Sequence, residues 1–312
     1  MRVANSRKVF DARPVIGSGR GETDDGPETT ADRRAAVSGP RSGDRIGAES
    51  VPGSADFGAN GASAVPDTGD AEAGNDSRAV ELAAGLDRVL ARIDAACAAA
   101  GRDPGDVRLL PVTKYFPASD IAALYRLGRR DFGENRPQEA GAKAAELSDL
   151  GVRWHLVGQL QRNKARQVAR WAYAVHSVDS ERLATALATA TAAALDSGER
   201  DTPLEVLIQV SLDADPTRGG VEPGAVPALA DHIAESTELR LAGIMAIPPR
   251  TADPDAEFAR LAEVCTRLRT GHPGATELSA GMSNDLERAI AHGSTCVRVG
   301  TALLGARPIT SA

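Results

Sequence analysis

From residue 79 onward, eight short apolar runs alternate with helical stretches, and few folds accept that rhythm. The runs are RLLPVTK (108–114), DFGEN (131–135), RWHLVG (153–158), AVHSV (174–178), LEVLIQV (204–210), LAGIMAI (241–247), ATELSAG (275–281) and CVRVGTAL (296–303). Each has strand length, and several carry the unbroken Val, Ile and Leu of strands buried on both faces. Between them lie ASDIAALYRLG, PQEAGAKAAELS, NKARQVARWA, DSERLATALATATAAAL, AVPALADHIAES, DAEFARLAEVCTRLR and SNDLERAIAHG, all readable as helices. A further helix precedes the first run, with Leu82, Leu86, Val89, Leu90 and Ile93 at helical spacing and Gly101 as its stop. Strands bounded by helices in this way imply right-handed βαβ units and a parallel sheet. Eight such units in about 230 residues match the size of a (β/α)8 TIM barrel. An open doubly wound sheet is the alternative, weakened because no GxGxxG follows the first run.

Residues 1–78 read differently. They are dominated by Gly, Ala, Ser, Asp, Arg and Pro without hydrophobic period. Such a segment buries too little apolar surface to offset its conformational entropy, so a disordered extension is expected there, with a single domain over 79–312. The residues do not distinguish a regulatory extension from an overlong reading of the gene. Gly17, Gly19 and Gly21 have no strand before them and carry no phosphate-loop argument. Asn75-Asp76-Ser77 fits a glycosylation sequon, but nothing else in the chain points to secretion.

A barrel puts its active site at the C-terminal ends of the strands. Those ends carry Lys114, then Asn135, Gly158-Gln159, Ser177, Met245 to Pro248, Ser279 to Ser283, and Arg298, Gly300 and Thr301. Lys114 is the residue that needs explaining. An ammonium closing an otherwise buried strand costs solvation unless an amine is wanted there. A lysine at a barrel mouth is able to attack a carbonyl, whereas a snorkelling strand-end lysine is the bland alternative. GMSNDLERAI (281–290) enters a helix behind Gly281 and Ser283, and VRVGTALLG offers Gly300, Thr301 and Arg298. These turns follow the seventh and eighth strands, where barrels of this class commonly bind phosphate. A carbonyl-reactive lysine and a phosphate cradle together suggest pyridoxal 5′-phosphate (PLP).

The stretches VTK (112–114), DFGENRPQEA (131–140), WHLVGQLQRNK (154–164), VHSVDS (175–180), GIMAIPP (243–249), LSAGMSNDLERAIAHGST (278–295) and VRVGTALLGAR (297–307) resemble the YggS/PROSC family of pyridoxal phosphate homeostasis proteins. The resemblance covers the chain from about residue 79, in order. It implies the barrel of the alanine racemase N-terminal type, with PLP held covalently by Lys114 as a Schiff base. By motif it implies phosphate contacts from Ser283, Arg298, Gly300 and Thr301, with Asn135, Met245 and Ser279 in the cofactor site. Whether Arg298 meets the phosphate or the pyridine nitrogen stays open at this point. Arg136, Pro137 and Ala280 depart from the family's usual residues without removing a proposed ligand.

The resemblance implies a role in intracellular PLP (vitamin B6) homeostasis and amino/keto acid balance, with PLP-dependent apo-enzymes as possible recipients. No catalytic residue is assigned. A PLP-dependent amino-acid racemase, or another small PLP enzyme, is the alternative. Racemases of this fold take a second base, a tyrosine, from a C-terminal domain, and Ala312 follows the eighth run too closely to leave room for one. Tyr115, Tyr125 and Tyr173 lie within the barrel region, and strand alternation points Tyr115 away from Lys114.

Bulk properties add exclusions. A net charge of −7 argues against general nucleic-acid or membrane-surface binding, and QRNKARQVAR reads as a solvated helix face. Cys97, Cys265 and Cys296 are far apart, so neither a disulfide framework nor a zinc site is indicated. His155 and His176 read as packed, hydrogen-bonded core histidines, and no metal is expected. The N-terminus lacks an apolar signal core and no run reaches membrane-span length. A cytoplasmic monomer is the expectation.

Overall fold

The computed structural model describes residues 68–213, 219–249 and 252–306, all within one compact unit, Ala64–Ala312. Of the extension expected at 1–78, residues 1–67, with the glycine triplet, lie outside the described residues, and 68–78 belong to the first helix. The strands are β1 (Arg108–Pro111), β2 (Asp131–Glu134), β3 (Arg153–Leu156), β4 (Ala172–Val178), β5 (Leu204–Val210), β6 (Leu239–Ala246), β7 (Glu277–Ser279) and β8 (Cys296–Val299). The helices are α1 (Thr68–Ala99), α2 (Ala118–Arg126), α3 (Pro137–Glu146), α4 (Ala165–Trp171), α5 (Glu181–Asp196), α6 (Val226–Ala234), α7 (Pro254–Gly271), α8 (Leu286–Ala291) and α9 (Thr301–Leu304). Each of the eight expected strands is present. Helix α1 begins upstream of residue 79, in TGDAEAGNDSR, a stretch that carries no apolar stripe.

All strand pairs are parallel, in the order β1-β8-β7-β6-β5-β4-β3-β2. A parallel bridge between Val112 and Gly133 joins the two ends, so the eight strands form a nearly closed barrel. The doubly wound alternative is thereby excluded.

Strand alternation divides the side chains. Leu109, Phe132 and Val297 point outward and pack beneath α1, α2 and α8 with Leu82, Leu86, Ile121, Leu124 and Ile290. Leu110, Val112, Val157 and Cys296 cluster inside the barrel, and Leu207, Ala242 and Met245 form a second inner cluster. Cys97, Cys265 and Cys296 are all reduced and buried.

Strand N-termini close the far end with a polar plug. Arg108 on β1 pairs with Glu277 on β7 and lies 3.9 Å from Asp131 on β2. Asp131 accepts from Arg153 on β3 at 2.6 Å, and the Arg153 guanidinium sits 5.5 Å from the Tyr173 ring on β4. Tyr173 Oη donates to Glu205 on β5 at 2.8 Å, and Arg240 on β6 pairs with the same carboxylate. The base is thus sealed by mutually neutralising groups, which leaves the opposite end as the open mouth.

Candidate functional site at the barrel mouth

Lys114 falls at that mouth. Arg108, Leu110 and Val112 point inward, and Lys114 continues their parity just past the end of β1. It is half-buried, and among the described residues its Nζ has no hydrogen-bond or ion-pair partner.

The other expected residues gather around it at two depths. Asn135 follows β2 and is half-buried, and the bond from Thr113 N–H to the Gly133 carbonyl holds β1 against that strand. Gly158 is essential to this arrangement: a Cβ there would lie 2.2 Å from the Asn135 carbonyl oxygen. Gly300 packs β8 against β1, its own Cβ position being 3.3 Å from the Val112 carbonyl. Ser283 Oγ accepts from the Ala302 N–H at 3.3 Å, tying the turn after β7 to the turn after β8, and Thr301 is exposed beside it. Arg92 of α1 fixes that turn from behind, donating to the Ser283 carbonyl at 2.9 Å and to Glu287 at 2.7 Å.

Met245, Ser279 and Arg298 sit deeper. Met245 and Ser279 are register partners on β6 and β7, and both are fully buried. The Arg298 guanidinium, also buried, donates to the Ser279 carbonyl at 2.6 Å, to Ser279 Oγ at 2.9 Å and to the Ala246 carbonyl at 2.9 Å. The eight residues therefore form an upper group (Lys114, Asn135, Ser283, Gly300, Thr301) and a lower one (Met245, Ser279, Arg298).

Below Ser279 runs a chain of hydrogen bonds. Ser279 Oγ is 3.0 Å from His176 Nδ1, His176 Nε2 is 2.9 Å from His155 Nδ1, and His155 Nε2 is 2.9 Å from Asp131 Oδ1. One direction of donation satisfies every atom: Arg298 to Ser279, Ser279 to His176, His176 to His155, and His155 to Asp131. The two histidines are core histidines, as expected, but they also link the mouth to the plug.

Burial, the neighbouring His155 and the Arg298 charge push His176 well below its ordinary value. For Asp131, burial pulls upward, but the His155 bond and the pairing with Arg153 and Arg108 outweigh it and hold the carboxyl well below the usual range. Both shifts make the folded state bind fewer protons than the unfolded chain. Stability contributed by His176 is therefore expected to fall as pH drops below about 6.5, with a slope approaching about 1.4 kcal/mol per unit. Asp131 adds to the loss below about pH 4. Denaturant unfolding at several pH values between 7.5 and 4 checks this, and a flat profile contradicts it.

Sequence reasoning missed a second buried cluster, on the outer side of β1 and β2. Lys143 of α3 donates to Glu134 at 2.7 Å, to Glu139 at 3.1 Å and to the Thr113 carbonyl at 3.0 Å. Thr113 Oγ1 donates to the same Glu134 oxygen at 2.7 Å, while Oε2 of Glu134 is buried without a partner. Burial pushes the Glu134 carboxyl up, against Lys143 and Thr113, which favour its charge. The only sequence signal was the helical i,i+4 spacing of Glu139 and Lys143, which reads as an ordinary surface pair.

Among the described residues no His, Cys, Asp and Glu group is placed to hold a metal ion, and no helix is long and apolar enough to cross a membrane.

Comparison with known proteins assigns the family. The model for the alanine racemase N-terminal domain matches residues 85–308. The pyridoxal phosphate homeostasis protein of Mycobacterium tuberculosis is 53% identical over 247 residues, 75% of this chain and 96% of that one. Its counterpart in Escherichia coli K12 is 40% identical over 237 residues, covering 73% and 97%. PipY of Synechococcus elongatus, solved with PLP bound, superposes with a TM-score of 0.59 at 37% identity, covering 68% of this chain and all of that one. At 16% identity and a TM-score of 0.52, alanine racemase from Corynebacterium glutamicum shares the fold. The chain therefore belongs to the pyridoxal phosphate homeostasis protein family, built on the alanine racemase N-terminal domain.

Proposed function

We propose that this protein holds PLP on Lys114 in the barrel mouth, serves intracellular PLP homeostasis and amino/keto acid balance, and hands the cofactor to PLP-dependent apo-enzymes without turning over a substrate itself. The observation that carries the reading is the half-buried Lys114 amine, unpartnered among the described residues and facing the mouth of a barrel whose relatives are PLP homeostasis proteins. PLP, when bound, would supply a reactive aldehyde, and Lys114 is the amine that would take it.

The residues present fit that group. Ser283 and Thr301, on turns tied together and braced by Arg92, offer hydroxyls for a phosphate, and Gly300 keeps the approach clear of side-chain atoms. Asn135 is free to flank the ring, having no hydrogen-bond partner among the described residues. The hydrogen bonds that commit the Arg298 guanidinium to Ser279 and Ala246, below the upper turns, favour a role at the ring end over one with the phosphate. An arginine there would keep a pyridine nitrogen unprotonated and so make the ring a poorer electron sink. Among the described residues the three tyrosines have other engagements, Tyr125 stacking with the Arg130 guanidinium at 3.8 Å. Tyr173 is bound to Glu205 in the basal plug, and the Tyr115 ring lies 5.4 Å from the Arg136 guanidinium.

The test is transfer against turnover. Loaded protein mixed with a PLP-dependent apo-enzyme is expected to restore that enzyme's activity even when a phosphatase destroys free PLP. The loaded protein should show no racemisation of alanine or serine. Lys114-dependent racemisation would contradict the carrier reading and favour the racemase.

A further inference from the structure

The cluster behind β1 has a pattern that packing alone does not require. Docking α3 onto β2 needs no more than the bond between Lys143 and Glu134. Instead the cluster grips the backbone on both sides of Lys114. Before it, the Thr113 carbonyl accepts from Lys143 at 3.0 Å and Thr113 Oγ1 donates to Glu134 at 2.7 Å. After it, the Tyr115 N–H donates to Glu139 at 2.8 Å, and Glu139 is itself held by Lys143 at 3.1 Å. Thr113 and Glu134 are fully buried and Lys143 is 7% exposed, so the bonds before Lys114 are shielded from competing water, while those of Glu139 after it are part-buried.

The backbone between the two grips is unusual. Tyr115 has φ of 70°, and it is the single non-glycine residue with positive φ among the described residues. A bulky side chain rarely adopts that region, and such outliers persist where surrounding structure over-determines them. A turn here is closed by the Phe116 N–H bonding the Thr113 carbonyl at 3.1 Å. The left-handed step at Tyr115 swings the chain off the strand line directly after Lys114.

We propose that Thr113, Glu134, Glu139 and Lys143 form a clamp that holds the chain on either side of Lys114, with Tyr115 in a left-handed conformation, and so aims the lysine amine into the mouth. The inference rests on the proposed role of Lys114. It assigns four positioning residues, none of which needs to touch the cofactor. An amine on a freely turning strand end would have to find a PLP aldehyde already anchored through its phosphate. A clamped amine meets it in place, and misplacement by about 1 Å is enough to cost such a reaction heavily.

The test compares full-length wild-type protein with Glu139→Ala, Glu139→Gln and Tyr115→Gly. PLP is titrated in, the adduct is fixed with borohydride, and Lys114 is quantified by peptide mass. Glu139→Ala is expected to raise the half-saturating PLP concentration roughly 10-fold. Glu139→Gln should recover most of that loss, because its amide carbonyl still accepts from the Tyr115 N–H. In Tyr115→Gly, glycine removes the strain, so the thermal midpoint should hold or rise while half-saturation still worsens. A purely structural role would not separate the two. Formaldehyde with cyanoborohydride, a small aldehyde with no anchor, should methylate Lys114 equally in all four proteins. Wild-type half-saturation in both Glu139→Ala and Tyr115→Gly would overturn the clamp. Wild-type protein that is methylated at Lys114 but fixes no PLP would sink the cofactor reading, and the clamp with it.

Discussion

Lys114→Ala is expected to abolish the absorption band at about 420 nm that PLP gives on a lysine Schiff base, and to weaken PLP binding by roughly 100-fold, or about 2.8 kcal/mol. The residual affinity would come from the Ser283, Gly300 and Thr301 turns, which do not depend on the lysine. Stability should change by no more than about 0.5 kcal/mol, since a half-buried side chain without partners among the described residues contributes little. Equilibrium dialysis together with thermal unfolding checks both halves of this expectation. Unchanged PLP affinity would remove Lys114 from the site, and a large loss of stability would recast it as a structural residue.

Gly158→Ala has the largest expected effect on the fold around the site. Its Cβ would lie 2.2 Å from the Asn135 carbonyl oxygen and 2.8 Å from the Asn135 carbonyl carbon and Cα. All three are backbone atoms, so no rotamer change relieves the clash, and the end of β3 must separate from the end of β2. A cost of about 3 kcal/mol is expected. For a domain of this size that lowers the thermal midpoint by roughly 6–12 °C. Because Asn135 is the displaced residue, PLP affinity should fall at temperatures well below the midpoint as well. A substitution that leaves both quantities unchanged would contradict the close approach of these two strands.

Much of this was legible in the sequence because the barrel rewards local pattern. Each strand is an apolar run of its own, and the strand ends place Lys114, Asn135, Ser283 and Thr301 at one mouth without any long-range reasoning. Side chains whose meaning depends on a partner strand were harder to read. Arg298 looked equally suited to a phosphate or a ring nitrogen, and its actual acceptors, Ser279 and the Ala246 carbonyl, come from β7 and β6, beyond the reach of local pattern. His155 and His176 are separated by 21 residues, and only strand pairing makes them a relay. Glu134 and Lys143 were invisible as a pair because burial, not spacing, gives them their role. The beginning of α1 escaped for a different reason, since a polar stretch without an apolar stripe reads as part of the tail.

Under the proposed function one amine, Lys114, is the point of covalent attachment for PLP. The most direct measurement is to incubate the purified full-length protein with PLP, reduce with borohydride, digest, and locate the phosphopyridoxyl group by peptide mass. It is expected on the peptide containing Lys114, with Lys143 and Lys164 unmodified. Attachment elsewhere, or a band at about 420 nm that borohydride leaves unattached to any lysine, would contradict it.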